Sequence, residues 1–199
     1  LIDAGTVWKD DLGAAEKRLD ALKEARATWL EEPFYSGALK QYKKLSAKAS
    51  PVKLAGGEGC HNFYQAQHMI DYGGVGFIQI DACAIGGITV AKAVADYARR
   101  KRVSYVNHTF STHVGLSASM QPFAGSEKDT LCEYPVEQKP VSYELVVDRI
   151  QRDAQGMVRV PEKPGLGVTP NPETMKRYLV DAEIRVKGRV LYKTPPIKV

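Results

Sequence analysis

Six ionisable side chains recur along the chain at nearly one interval. Asp3, Glu31, Glu58, Asp81, His108 and Glu133 stand 28, 27, 23, 27 and 25 residues apart, each just past a short apolar run. Three of them, Asp3, Glu31 and Glu58, are carboxylates with nothing cationic between them, and they would repel strongly if gathered in one half-buried site. A hard divalent cation relieves that repulsion, and all-oxygen ligation suits Mg²⁺ or Mn²⁺. Any one of these acids alone reads more simply as a solvated loop residue or a helix cap; three at matching positions argue for a shared metal site. Asp81 and His108 add a second function. On neighbouring strand tips, Asp81 would accept a hydrogen bond from one ring nitrogen, hold the tautomer and raise the basicity of His108, leaving the other nitrogen to move a proton. A lone histidine is more often structural, so the pairing with Asp81 carries this reading. Glu133 would close the ring and, with a raised pKa, donate a hydrogen bond to a developing oxyanion. A metal beside a histidine base suits removal of the α-proton of a carboxylate, whose enediolate needs positive charge close by.

The elements that must position these residues follow from hydrophobic periodicity. Leu1-Ile2 reads as the end of a strand, and Leu12, Ala15, Leu19 and Leu22 put a helix over 10–27 with Asp10 or Asp11 as its cap. Strands are expected at 28–30, 52–55, 77–80, 103–106 and 130–132, with helices over 37–49, 62–72, 88–99 and 113–120 between them. Alternation of this length implies βαβ units and a parallel sheet, and a period near 26 residues per unit is that of a (β/α) barrel. Such barrels build their sites at the C-terminal ends of the strands, where all six residues fall. Beyond Pro135 the composition turns to Pro, Gly and charge; 143–148 and 157–160 read as short strands or extended segments, 172–179 as a helix, and the rest as a peripheral β tail. Two stretches are thus expected: residues 1–135 as a partial barrel, and 136–199 as a wrap belonging to the same domain.

Composition narrows the class. The chain has 199 residues, 44% apolar and 26% charged, with a formal net charge of +5, ordinary values for one soluble domain or most of one. The densest basic cluster, Arg99–Arg102, sits where a helix should end and complements its dipole, so no nucleic-acid partner is expected. Cys60, Cys83 and Cys132 form no CxxC pair, which fits a reducing, cytoplasmic setting. No apolar run is long enough to cross a membrane. Cys60-His61 lacks partners for a zinc site, His113 reads as a helix N-terminal residue, and Gly56-Gly57 and Gly86-Gly87 read as tight turns rather than phosphate cradles. Opening on Leu1-Ile2-Asp3, inside a strand, leads to the expectation that further sequence, or a companion chain, completes the barrel.

Asp3, the Trp29-Leu30-Glu31-Glu32-Pro33 stretch, Gly57-Glu58, Asp81 with Ile85-Gly86-Gly87, Asn107-His108 and Pro164-Gly165-Leu166-Gly167 together resemble the mandelate racemase branch of the enolase superfamily, in order and over nearly the whole chain. The resemblance implies a (β/α)₇β barrel with a separate capping domain, one Mg²⁺, and α-proton abstraction from a carboxylate. By position it implies Asp3, Glu31 and Glu58 as metal ligands, Glu32 as the neighbour that does not ligate, Asp81 and His108 as the dyad, and Glu133 as the acid facing the substrate carboxylate. A histidine here, with no lysine at the Asp81 tip, favours this branch over the muconate-lactonizing one. It further implies a sugar-acid substrate, dehydration as the reaction and assembly as a homo-oligomer. Two parts of the family pattern do not fall within Leu1–Val199: a Lys-x-Lys strand that carries the opposing base, and the N-terminal capping domain. A racemase or epimerase is the near alternative. A metal hydrolase is disfavoured by the all-carboxylate set, and a non-catalytic subunit is the reading from another class.

Overall fold

A computed structural model of the protein describes residues 1–197, so the last two residues of the expected β tail lie outside the described residues. The chain divides into two compact units, Leu1–Thr109 with Ala118–Tyr134, and Phe110–Ser117 with Pro135 onward.

The first unit is a ladder of βα units. Strands β1 (Ile2–Asp3), β2 (Trp29–Glu31), β3 (Lys53–Gly56), β4 (Phe77–Ile80) and β5 (Ser104–Asn107) form one sheet in sequence order, every neighbouring pair parallel. Between them lie α1 (Leu12–Glu16), α2 (Leu19–Glu24), α3 (Leu39–Ala49), α4 (Phe63–His68) and α5 (Ile88–Lys101), and α6 (His113–Met120) follows β5. β2 and β4 are buried along their whole length, as strands covered on both faces must be. Along α5 the buried residues Ala91, Val94, Ala95 and Ala98 recur at i, i+3, i+4 and i+7, a stripe facing the sheet. Gly87 opens α5 and Arg102 closes it in the left-handed region, with Arg99, Arg100 and Lys101 in the last turn where the dipole favours them. The five strands do not close on themselves; the sheet ends at β1 and at β5.

Residues on alternate sides of the strands separate into two layers. Leu30, Leu54, Ile78, Ile80 and Tyr105 belong to the main core with the helices. Trp29, Ala55, Phe77 and Val106 form a second, small cluster on the opposite face. Period-two alternation puts Glu31 on the face of Trp29, and Gln79 on that of Phe77.

Three expected elements differ. The stretch 10–27 is two short helices, because the chain tightens at Arg18, whose N–H bonds Ala15 O; Asp11 is the cap, its Oδ1 accepting from Ala14 N at 3.0 Å. The strand expected at 130–132 does not form. Side chains of β5 and its neighbours replace the ladder there: Asn107 donates to Glu133 O at 2.9 Å and accepts from Glu133 N at 3.0 Å, and Asp129 accepts from Tyr105 N at 3.1 Å. In place of a strand at 143–148 the chain forms α7 (Pro140–Glu144), with proline in its first turn.

In the second unit only single bridges, Val146 with Pro170 and Arg152 with Val158, represent the remaining extended stretches. α8 (Pro172–Tyr178) is capped by Asn171, and β6 (Glu183–Val186) with β7 (Arg189–Lys193) makes an antiparallel hairpin through Lys187-Gly188, both at positive φ. Gly167 has φ +65°, and a Cβ there would collide with Pro161, which accounts for glycine in the Pro-Gly-Leu-Gly stretch. His113 accepts from Ile150 N at 3.0 Å through Nδ1, so Nε2 carries the proton and donates to Gln138 Oε1 at 2.9 Å. No helix among the described residues is long and apolar enough to cross a membrane.

Candidate active site and metal centre

Parallel pairing aligns the candidate residues. Asp3 pairs with Glu31 in the β1–β2 register, and Glu31 with Ala55, three positions before Glu58. Ile80 pairs with Asn107, so Asp81 and His108, each one residue further on, leave the sheet side by side. His108 N donates to Ile80 O at 3.0 Å and carries the ladder one step further. Gly57, φ +125°, makes the turn into Glu58; a Cβ there would meet Ile78 Cδ1 at 2.7 Å and Gln79 O at 2.8 Å. Only glycine lets this loop lie so close to β4.

His108 is the centre of the cluster. Its Nδ1 lies 3.0 Å from Asp81 Oδ2, and its Nε2 lies 3.2 Å from Glu58 Oε2 and 4.0 Å from Glu133 Oε1. Burial alone would lower its pKa; the Asp81 hydrogen bond and the charges of Glu133, Glu58 and Asp81 prevail and raise it to about 9. Asp81 is fixed from both sides, since its Oδ1 accepts from Cys83 N at 2.7 Å. Burial works against its charge, but the His108 and Cys83 hydrogen bonds hold its pKa below the ordinary value. Glu133 behaves oppositely: burial, reinforced by Glu31 and Glu58 and opposed by His108, pushes it up to about 7. Its Oε2 is buried without a partner among the described residues.

The metal candidates bear the marks of crowded negative charge. The pKa of Glu31 is raised by burial and then by Asp3 and Glu58; that of Glu58 is raised by burial and by Asp3 and Asp81 against the pull of His108. Glu32 is pushed up to about 7 by burial and by Glu58, Asp3 and Glu31. It sits in the left-handed region, φ +36°, with Oε1 buried and unpartnered among the described residues. Among those residues no three His, Cys, Asp or Glu side chains converge closely enough to cage an ion as they stand. Asp3 Oδ1 accepts from Gly5 N at 2.7 Å, and Glu58 leans toward His108. The chemistry of the set is what fits a hard divalent cation: three oxygen-donor acids on adjacent strand ends, with the charges of Asp3 and Glu58 both raising the pKa of Glu31.

Two supports were not among the sequence candidates. Trp29 donates from Nε1 to Glu31 Oε2 at 3.1 Å, and Asn107 clasps the backbone of Glu133. Spacing offered a signal for both: Trp29 lies two residues before Glu31 on one strand face, and Asn107 is the polar end of an apolar strand. Cys60 is buried with its thiol pushed up to about 12 by burial, and so is held as the unreactive thiol.

A family model described as enolase C-terminal domain-like matches residues 1–174. The chain is 29% identical over 165 residues to D-galactonate dehydratase of Variovorax paradoxus, covering 80% of this chain and 43% of that protein. It is 27% identical over 158 residues to D-galactarolactone cycloisomerase of Agrobacterium fabrum, covering 75% and 41%. Among solved structures, a predicted mandelate racemase from Rhodobacter sphaeroides is 47% identical with a TM-score of 0.92, over 98% of this chain and 50% of that one. The 3,6-anhydro-D-galactonate cycloisomerase of Zobellia galactanivorans gives 27% identity and a TM-score of 0.81, over 90% and 50%. The chain therefore spans half or less of the length of each of these proteins.

Proposed function

Because this chain belongs to the enolase C-terminal domain-like family, we propose that its ring of acids and His108 removes the α-proton of a carboxylate substrate beside Mg²⁺, most concretely to dehydrate a sugar acid to a 2-keto-3-deoxy acid. The observation that carries this reading is the placement of His108 between Asp81 on one ring nitrogen and Glu58 and Glu133 on the other. The dehydratase among the relatives supports the choice of reaction.

Asp3, Glu31 and Glu58 would hold the cation, which supplies positive charge for the substrate carboxylate as the α-proton leaves. Asp81 holds the Nδ1–H of His108, so proton transfer belongs to Nε2. In the neutral form of His108, which a cation held by Glu58 would favour by drawing that carboxylate's charge from the ring, that nitrogen takes the α-proton and returns a proton to the departing β-hydroxyl, which leaves as water. Glu133, whose pKa burial pushes up to about 7, would in its protonated form donate a hydrogen bond to a substrate carboxylate oxygen. Glu32 backs Glu58 without ligating. Cytoplasmic residence and a homo-oligomeric assembly belong to the same reading.

The test is to incubate the intact gene product with Mg²⁺ and a broad acid-sugar library, following 2-keto product and α-deuterium exchange in D₂O. Product formation supports the dehydratase. Exchange without loss of water favours a racemase or other isomerase, the second reading, which the cycloisomerase relative and the racemase-like structure favour. Absence of both sinks the catalytic reading, and absence of Mg²⁺ binding as well would favour a non-catalytic subunit.

A further inference from the structure

Trp29 stands where no catalytic step needs an indole. It is buried, yet its one polar atom points to Glu31 rather than to backbone, donating to Oε2 at 3.1 Å. An indole N–H is a donor only, so it cannot take a proton from the site or compete with a carboxylate for a cation. What it can do is fix the rotation of the Glu31 carboxylate. The ring is itself pinned: it packs on Phe77 with centroids 4.7 Å apart, in the small apolar cluster with Ala55 and Val106. That cluster is separate from the main core, on the sheet face that carries Glu31 and Gln79. Gln79 is also buried there, and its side chain lowers the Glu31 pKa against the effect of burial. A ligand carboxylate whose orientation is set in advance loses less freedom when it binds a cation, and partners of this kind are typically worth about 10–100-fold in metal affinity.

We propose that Trp29 is the positioning residue of the metal centre, its indole N–H holding Glu31 Oε2 and so fixing the orientation of the carboxylate that would hold the cation. This rests on Glu31 being a metal ligand. The pinning by Phe77 fixes the indole, and the hydrogen bond transmits that fixation to the carboxylate. The same bond makes Trp29 a reporter, because a charge arriving at Glu31 changes the field at the indole. Leu1–Val199 has one other tryptophan, Trp8, so Trp8→Phe, with any further tryptophan of the intact gene product also changed to phenylalanine, leaves Trp29 as the sole emitter.

The experiment is Mg²⁺ titration of the intact gene product by calorimetry, with thermal denaturation of each variant alongside. Trp29→Phe keeps an aromatic ring and removes the N–H; it is expected to weaken Mg²⁺ binding about 10-fold or more. Phe77→Leu removes the ring contact and keeps the N–H, and should lower the melting temperature with a smaller loss of affinity. In the Trp8→Phe protein, saturating Mg²⁺ should shift the emission of Trp29. Unchanged affinity in Trp29→Phe, with normal binding by the parent, overturns the proposal and leaves Glu31 as a ligand. Equal losses in Trp29→Phe and Phe77→Leu would assign the effect to packing and overturn it too. If Trp29→Phe does not fold, a silent Trp29 emission on Mg²⁺ saturation overturns it. A parent protein that binds no Mg²⁺ overturns the metal reading and this proposal together.

Discussion

His108 and Asp81 act as one unit, because the carboxylate that accepts from Nδ1 is fixed in turn by Cys83 N–H. The nitrogen proposed to transfer the proton, Nε2, is thereby left facing away from Asp81 before any substrate arrives. His108→Asn removes that nitrogen and is expected to cut α-deuterium exchange by at least about 10²-fold. Mg²⁺ affinity should change little, since His108 touches Glu58, a proposed ligand, but is not among the proposed ligands. Glu58→Gln should show the opposite pattern in calorimetry, with Mg²⁺ binding lost first. A His108→Asn protein that still exchanges the α-proton at the parent rate would remove His108 from the reaction.

Two elements make separate demands on stability. The turn after α4 is tied to α5 by Asp71, which accepts from Tyr97 Oη at 2.5 Å and pairs with Lys101 Nζ at 2.8 Å. The Lys101 and Tyr97 hydrogen bonds hold the Asp71 pKa below its ordinary value. A carboxylate with a depressed folded pKa contributes stability above its unfolded pKa, near 3.9, and loses it as pH falls through the folded value. Asp71→Asn should therefore cost about 1 kcal/mol in urea denaturation at pH 7, with the difference from the parent shrinking below about pH 4. Beyond β5, where a sixth strand was expected, Asn107 holds the Glu133 segment by two side-chain hydrogen bonds. Asn107→Ala leaves Glu133 N–H without its acceptor and Glu133 O with only the weak Cys132 thiol donor, and is expected to destabilise by about 2 kcal/mol. The same variant frees Glu133, so activity should fall further than stability predicts, which parallel urea melts and exchange rates would reveal.

Across the whole molecule the five-stranded sheet gathers its acids at one end and leaves β1 and β5 as edges. Beside β1 an apolar hollow of about 560 Å³ is lined by Val7, Trp8, Ala21, Leu22, Ala25 and Leu30 among others. The concentration of Asp3, Glu31, Glu32 and Glu58 at the strand ends is a cost to the folded state that the proposed cation would offset. Mg²⁺ at about 100 times its Kd should add about 2.7 kcal/mol, a rise of about 5–10 °C in melting temperature for a chain of this size. Differential scanning fluorimetry with Mg²⁺ against EDTA checks this. Glu58→Gln should start from a higher metal-free melting temperature, because one repelling charge is gone, and should gain little from Mg²⁺. An identical Mg²⁺ response in parent and variant would place the ion elsewhere.

The strand ladder, the order of its elements and the five residues Asp3, Glu31, Glu58, Asp81 and His108 at its strand ends were legible in the sequence, because periodicity and chain spacing are local quantities and a parallel βα ladder converts even spacing into spatial adjacency. Gly57 was legible as a turn for a similar reason, its backbone demand being local. Contacts across the ladder were not. That Asn107 replaces a strand partner for Glu133 and that His108 leans on Glu58 as well as Asp81 depend on side-chain directions set by packing over long stretches of chain. The missing sixth strand has the same origin: 130–132 has strand-like residues, but the hydrogen bonds that would have built the ladder are taken by the side chains of Asn107 and Asp129. Strand propensity is settled by the partner a segment finds, and that partner is known only once the chain is folded.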